Sequence, residues 1–208
     1  MSGLVFAGIA PHGSSIIKEI AGKEEKLFEP TRDAMEELGS RLKAYKIDTI
    51  IILTPHGLRL QGYNAIYTSS YCSGSLTEND NTIYSEFTCD KTMSKEILQT
   101  AKTANNSGKR VALIASANQA HAHAIDGIYG YDPAAVEYDN KIISIVKENR
   151  LDMLLGLDMN LIENAKPDSL WQMLILFGAL SITPMRCKLI SYQVPTYFGI
   201  LVASCESQ

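Results

Sequence analysis

Three apolar, strand-like runs each lead into histidine, and the chain's four histidines all lie at these ends. Leu4 to Ala10 runs into Pro11-His12-Gly13, and Ile50 to Thr54 runs into Pro55-His56-Gly57. Val111 to Ser116 is followed closely by His121 and His123. In an open parallel α/β sheet the carboxyl ends of the strands share one edge, and ligands bind in the crevice there. Histidines at several such ends are what a mononuclear metal site needs, since imidazole suits iron, zinc, copper and nickel.

Composition narrows the class of protein that could carry such a site. A chain of 208 residues fits one domain and can bury about 70% of the surface its unfolded form exposes. With 46% hydrophobic and 20% charged residues, disordered, collagen-like and coiled-coil classes drop out. The formal charge of −4 and the lack of clustered Lys and Arg argue against nucleic acid as a partner. The first apolar run is seven residues long, has no basic lead-in and ends in Pro-His. It therefore reads as neither a signal peptide nor a membrane span, and the expected location is cytoplasmic. Cys72, Cys89, Cys187 and Cys205 form no C-x-x-C pair and read as reduced thiols rather than a zinc knuckle or a disulfide framework.

The remaining pattern is that of an α/β chain. Pro30 can open a helix, with Ala34, Leu38, Leu42 and Tyr45 at helical spacing. Strand, helix and strand from Leu4 to Thr54 make a βαβ unit with parallel strands, so His12 and His56 emerge at the same edge. Tyr63 to Ser70 reads as a further strand and Ser73 to Thr82, with its Gly, Asn and Asp, as a loop. Lys91 to Ala104 reads as a helix. After the strand Val111 to Ser116 comes a loop through Gly127 and Gly130, and Pro133 opens a helix carrying Val136, Ile142, Ile143 and Val146. A short helix covers Met159 to Ala165. From Pro167 a nearly all-apolar helix runs to Leu180 and should be buried on most sides. Two strands, Cys187 to Tyr192 and Phe198 to Ser204, close the chain. The fold class expected is α/β, one domain over residues 1–208, with a mostly parallel central sheet flanked by helices.

Two neutral imidazoles plus one carboxylate, with open positions on the metal, make the facial triad of non-haem Fe(II) oxygenases. His12 and His56 are the candidate imidazoles, and the repeated Pro-His-Gly at matched strand ends favours ligation over turn hydrogen bonding. Asp168 is the favoured carboxylate because it falls in the first turn of the apolar helix, facing a strand edge, with Glu163 in reserve. An acid there could equally be interacting with the helix dipole. His121 and His123 lack the i, i+4 spacing of a zincin pair and read as loop residues. His121 is assigned proton transfer, as an unperturbed imidazole pKa near 6.5 permits, and His123 a supporting position beside it.

Taken together, Ala10-Pro11-His12, Thr54-Pro55-His56-Gly57, Ser116 through His123, Tyr129-Gly130-Tyr131-Asp132-Pro133 and Phe177-Gly178-Ala179-Leu180 resemble the class III extradiol ring-cleavage dioxygenases of the LigB type. That superfamily also includes Memo-like proteins, which share the fold without being established catechol dioxygenases. The resemblance implies a LigB/Memo-like fold and an Fe(II) site held by His12, His56 and a carboxylate, with His121 as acid/base. Zn or Mn could occupy the same ligands. It also implies a small aromatic substrate and O2 as partners, no membrane, and a homo-oligomer. In this family the substrate is a catechol that binds the iron through both hydroxyls, and no external reductant is consumed. Two departures stand out. The family's glutamate position, counted back without a gap from Gly178, falls on Pro167, next to Asp168. The central portion is short, since Lys91 to Asn106 runs almost directly into Lys109 to Ser116. A Memo-like metal-binding protein without turnover and a Zn-dependent hydrolase are the alternative functions.

Overall fold

The computed structural model describes residues 3–57, 65–99 and 109–207. Its centre is a five-stranded sheet in the order β2-β5-β1-β7-β6, formed by β1 (Gly3–Ala10), β2 (Thr49–Leu53), β5 (Arg110–Ser116), β6 (Arg186–Gln193) and β7 (Ile200–Glu206). β5 pairs in parallel with both β1 and β2, while β7 is antiparallel to β1 and to β6. Four of the five strands therefore run in one direction. β1 and β2 are parallel, as the βαβ reading requires, but β5 lies between them.

Side chains of alternate strand residues leave opposite faces of the sheet, and the core divides accordingly. Phe6, Ala10, Ala112 and Val202 pack beneath α1 (Glu29–Ala44) with its Ala34 and Leu38. Ala7, Ile9, Leu113, Ala115, Leu201 and Ala203 face α3 (Ala134–Lys147), α4 (Met159–Ala165) and α5 (Leu170–Ile182). Gly8 is why α1 sits so low on the sheet: a Cβ there would stand 3.3 Å from a Leu38 methyl and 3.1 Å from the Ala203 carbonyl. The start of α1 at Pro30 and the bounds of α4 follow the sequence expectation. α4 is capped by Asp158, whose side chain accepts from Leu161 N at 3.0 Å.

Four expectations are corrected. Residues 65–70 are not a strand, and residues 63 and 64 lie outside those described. The stretch read as a loop is instead a hairpin, β3 (Tyr71–Glu78) with β4 (Asn81–Thr88). Asn79 and Asp80 at its tip both have positive φ, as a two-residue type I′ turn demands. α2 is described from Lys91 to Gln99, and residues 100–104 of the expected helix lie outside the described set. Cys187 and Cys205 stand opposite each other on β6 and β7 and form a disulfide, while Cys72 and Cys89 are free. Finally, α5 buries only one face, with Trp171 72% and Ile182 69% exposed. No helix among the described residues is long and apolar enough to cross a membrane.

Asp90 ties β2 to α2 and to the entry of β5. It accepts from Thr49 Oγ1 and Lys109 Nζ, both at 2.6 Å, and from Met93 N at 3.0 Å. Burial raises its pKa, but these donors outweigh burial and hold it at about 2. A carboxylate depressed on folding contributes stability above its unfolded pKa, and that contribution is lost as pH falls through the folded value. The Tm deficit of Asp90→Asn relative to the parent is therefore expected to be full above about pH 4 and to shrink toward pH 2, as thermal melts across that window would read.

Candidate metal centre

β1, β5 and β2 end together, with Ala10 level with Ser116 and Leu53 level with Ala115. The chain leaves β1 through Pro11 to His12 and leaves β2 through Thr54 and Pro55 to His56. The two imidazoles meet edge to face, with centroids 4.5 Å apart. His12, His56 and Asp168 each present a ligand atom, and these atoms all lie within 4.8 Å of one another.

His12 and Asp168 are oriented from behind. His12 Nδ1 lies 3.2 Å from Ser116 Oγ, and its Nε2 faces Asp168 Oδ2 at 3.1 Å. The buried Asn118 clamps the His12 backbone, with Oδ1 accepting from His12 N at 3.2 Å and Nδ2 donating to His12 O at 3.0 Å. Its own N–H donates to Asp168 Oδ1 at 2.8 Å, leaving Oδ2 toward the histidines. His56 N donates to Thr54 Oγ1 at 3.2 Å. Two imidazoles and a carboxylate, with the second donor atoms of His12 and Asp168 held by Ser116 and Asn118, fit a divalent transition metal. His56 is exposed while His12 and Asp168 are half-buried, so the centre opens to solvent.

Asp168 lies ahead of α5 rather than in its first turn, because its carboxylate turns to Asn118 instead of to the helix amides. Ser169 begins the helix, its hydroxyl 3.0 Å from the hydroxyl of the buried Tyr138. Glu163 is exposed on α4 and is not part of the convergent group.

His121 stands beside the three. Its Nε2 is 3.8 Å from Asp168 Oδ2 and its Nδ1 is 3.0 Å from the Lys166 carbonyl. A carbonyl only accepts, so Nδ1 carries the hydrogen and Nε2 keeps a lone pair. The ring stacks on Phe198 at 5.5 Å and meets Tyr129 edge-on at 6.0 Å. Burial lowers the His121 pKa below its ordinary value, against the upward pull of the Asp168 carboxylate.

His123 does not join the group. Its Nε2 binds Asp139 Oδ2 at 2.8 Å, and both side chains are almost fully buried. Asp139 also accepts from Ala120 N at 2.8 Å and Tyr192 Oη at 2.5 Å, so it anchors the loop that carries Asn118 and His121. A Cβ at residue 199 would collide with this carboxylate, which accounts for Gly199. Sequence reasoning missed Asn118, Ser116 and Asp139. Asn118 sits beside the histidine loop it serves and could have been suspected, but Asp139 is one of two acids, with Glu137, on an ordinary amphipathic helix. A cleft of about 780 Å3 runs along β6 past Arg41 and Lys188, and none of these site residues lines it.

Comparison with known proteins finds a likeness over the first half of the chain. The family model for the catalytic LigB subunit of aromatic ring-opening dioxygenase matches residues 7–105. That segment holds Ala10-Pro11-His12 and Thr54-Pro55-His56-Gly57, and over it the match agrees with the resemblance read from these two motifs. His12 and His56 lie inside the matched segment, while His121 and Asp168 lie beyond it. Protein CA_C1420 of Clostridium acetobutylicum is 20% identical over 265 aligned positions, which take in 96% of this chain and 57% of that protein. The chain therefore spans little more than half the length of this relative. The alignment is also longer than the chain itself, so the relative has residues within it that find no counterpart here.

Truncating Asp139 would leave Ala120 N, His123 and Tyr192 without their shared acceptor in a buried setting. Asp139→Ala is expected to cost about 3–5 kcal/mol, read as a lowered urea midpoint at unchanged m.

Proposed function

We propose that the protein is a non-haem Fe(II)-dependent extradiol ring-cleavage dioxygenase acting on a catecholic or related aromatic substrate. The observation that carries this reading is the convergence of two imidazoles and one carboxylate at a strand edge, with a third imidazole beside them whose Nε2 is free to take a proton. The LigB match over the segment holding both histidines supports it.

A ferrous ion held by His12, His56 and Asp168 would supply the template and the charge stabilisation for ring opening. The protein's part is to orient and to move a proton. His121, whose pKa burial lowers, can accept a substrate hydroxyl proton at Nε2 and return it later, and Asp168 at 3.8 Å favours the imidazolium that forms in between. Phe198 stacked on that ring fixes its plane, and Tyr129 and Tyr197 add the aromatic faces on which a flat substrate would rest. A second reading, metal binding without dioxygenase turnover, is favoured by the exposure of His56, which leaves the centre without a wall on that side.

Anaerobic reconstitution with Fe(II), followed by metal content and oxygen uptake with a panel of catechols, separates the two. The expected result is stoichiometric iron and catechol-dependent oxygen uptake, with both lost in Asp168→Ala. Ser116→Ala, which removes the partner of His12 Nδ1, should weaken iron binding by about 10–100-fold. His121→Gln should keep the iron and lose turnover by about 10²–10⁴-fold. Iron bound without oxygen uptake would select the second reading, and failure to bind any divalent metal would overturn both.

A further inference from the structure

α5 carries no charged residue from Leu170 to Ile182. A helix apolar all round is a buried helix, yet here only one side is covered. Leu170, Met173, Leu176 and Leu180 enter the core, while Trp171, Ile175 and Ile182 are 72%, 43% and 69% exposed. Gly178 falls between them, and nothing lies within 4 Å of where its Cβ would stand. Residues 171, 175, 178 and 182 are spaced i, i+4, i+7 and i+11, which lines them up on one solvent-facing stripe.

The stripe is complementary to itself. When two such helices cross antiparallel about a twofold axis set midway between Ile175 and Gly178, Trp171 of one copy lies against Ile182 of the other. Ile175 then fills the hollow over Gly178 of the other copy, and both contacts are made twice. A closed, isologous interface needs this kind of pairing, and a small residue at the crossing lets the helices approach closely. The 3-10 turn Leu151–Gly156, packed against α5, adds Met153 and Leu155 at 48% and 71% exposure, and Met159 follows at 62%. Six large apolar side chains exposed to this degree offer several hundred Å2 per copy, on the scale of the roughly 800 Å2 per partner of a stable dimer. A bilayer fits less well. Thirteen residues reach about 20 Å, short of the roughly 30 Å hydrocarbon core, and a surface-lying helix needs a basic face that α5 lacks.

We infer that the outer stripe of α5 is the interface with a second copy of this chain, paired antiparallel with Trp171 against Ile182 and Ile175 over Gly178. α5 begins directly after Asp168 and Ser169, so the pairing braces the helix whose entry carries the carboxylate of the metal centre. The dimer does not depend on the metal or on the activity.

Sedimentation velocity of the full chain should give twice the monomer mass, and Ile175→Glu should return it to monomer with an unchanged far-UV spectrum. Trp171 is the chain's one tryptophan, so its emission should move to the red on dilution in the parent and be red at every concentration in Ile175→Glu. A Trp171→Cys/Ile182→Cys variant, made with Cys72→Ser and Cys89→Ser, should cross-link on oxidation into a covalent dimer on a non-reducing gel. This arm keeps the inference testable should the glutamate variant fail to fold. A parent that stays monomeric at high concentration would overturn it, as would a dimer indifferent to Ile175→Glu, or a folded double-cysteine variant that does not cross-link.

Discussion

The position of β5 between β1 and β2 governs the rest of the molecule. Parallel pairing on both sides brings three strand ends to one level, with Ala10 beside Ser116 and Ala115 beside Leu53. The two Pro-His-Gly turns can then face each other only a few residues beyond. A one-residue slip of either pairing would send the inward side chains of that strand to the opposite face and part Phe6 and Ala112 from Leu38. The core on both faces of the sheet thus enforces the register on which the histidines depend.

The polar groups behind the histidines form a second level of support. Asn118 holds the His12 backbone and the Asp168 carboxylate, while Asp139 holds the loop from Ala120 to His123. Buried polar groups are tolerated when every member finds partners, and such networks make one geometry strongly preferred. Here Asn118 binds the loop after β5 to the segment that enters α5, about 50 residues further along the chain. The arrangement keeps Asp168 Oδ2 and the His12 Nε2 facing each other.

Strands and helices with a buried face were legible in the sequence, because hydrophobic periodicity reports burial. β1, β2, β5, α1, α3 and α4 fall where their apolar residues put them. The hairpin β3-β4 was not legible, since a ribbon exposed on both faces has no reason to alternate, and its Ser, Gly, Asn and Asp read as loop. The turn pair Asn79-Asp80 was the available signal. The Cys187–Cys205 pairing was hidden because it depends on the register of β6 against β7, which composition does not report. α5 misled for a related reason: apolar residues all round announce burial but not what does the burying. At the site, the histidines stood out through their repeated motif, whereas Asn118 and Asp139 work in part through the backbone of His12 and Ala120, which any residue carries.

The hairpin that escaped the sequence has its own physical character. Its tip is fastened to the body by Asn79, which donates to the Ile20 carbonyl at 2.8 Å, and the bond from Cys89 N to Ser70 O at 2.9 Å closes the ribbon across its own open end. Between these two points nearly every residue is exposed, and a lone two-stranded ribbon in water is only marginally stable. Its ladder therefore has little besides itself to hold it shut, and it can open without disturbing the sheet or the histidines. Amide hydrogens along Tyr71–Glu78 and Asn81–Thr88 would then exchange with solvent on their own clock, long before those of β1 and β7.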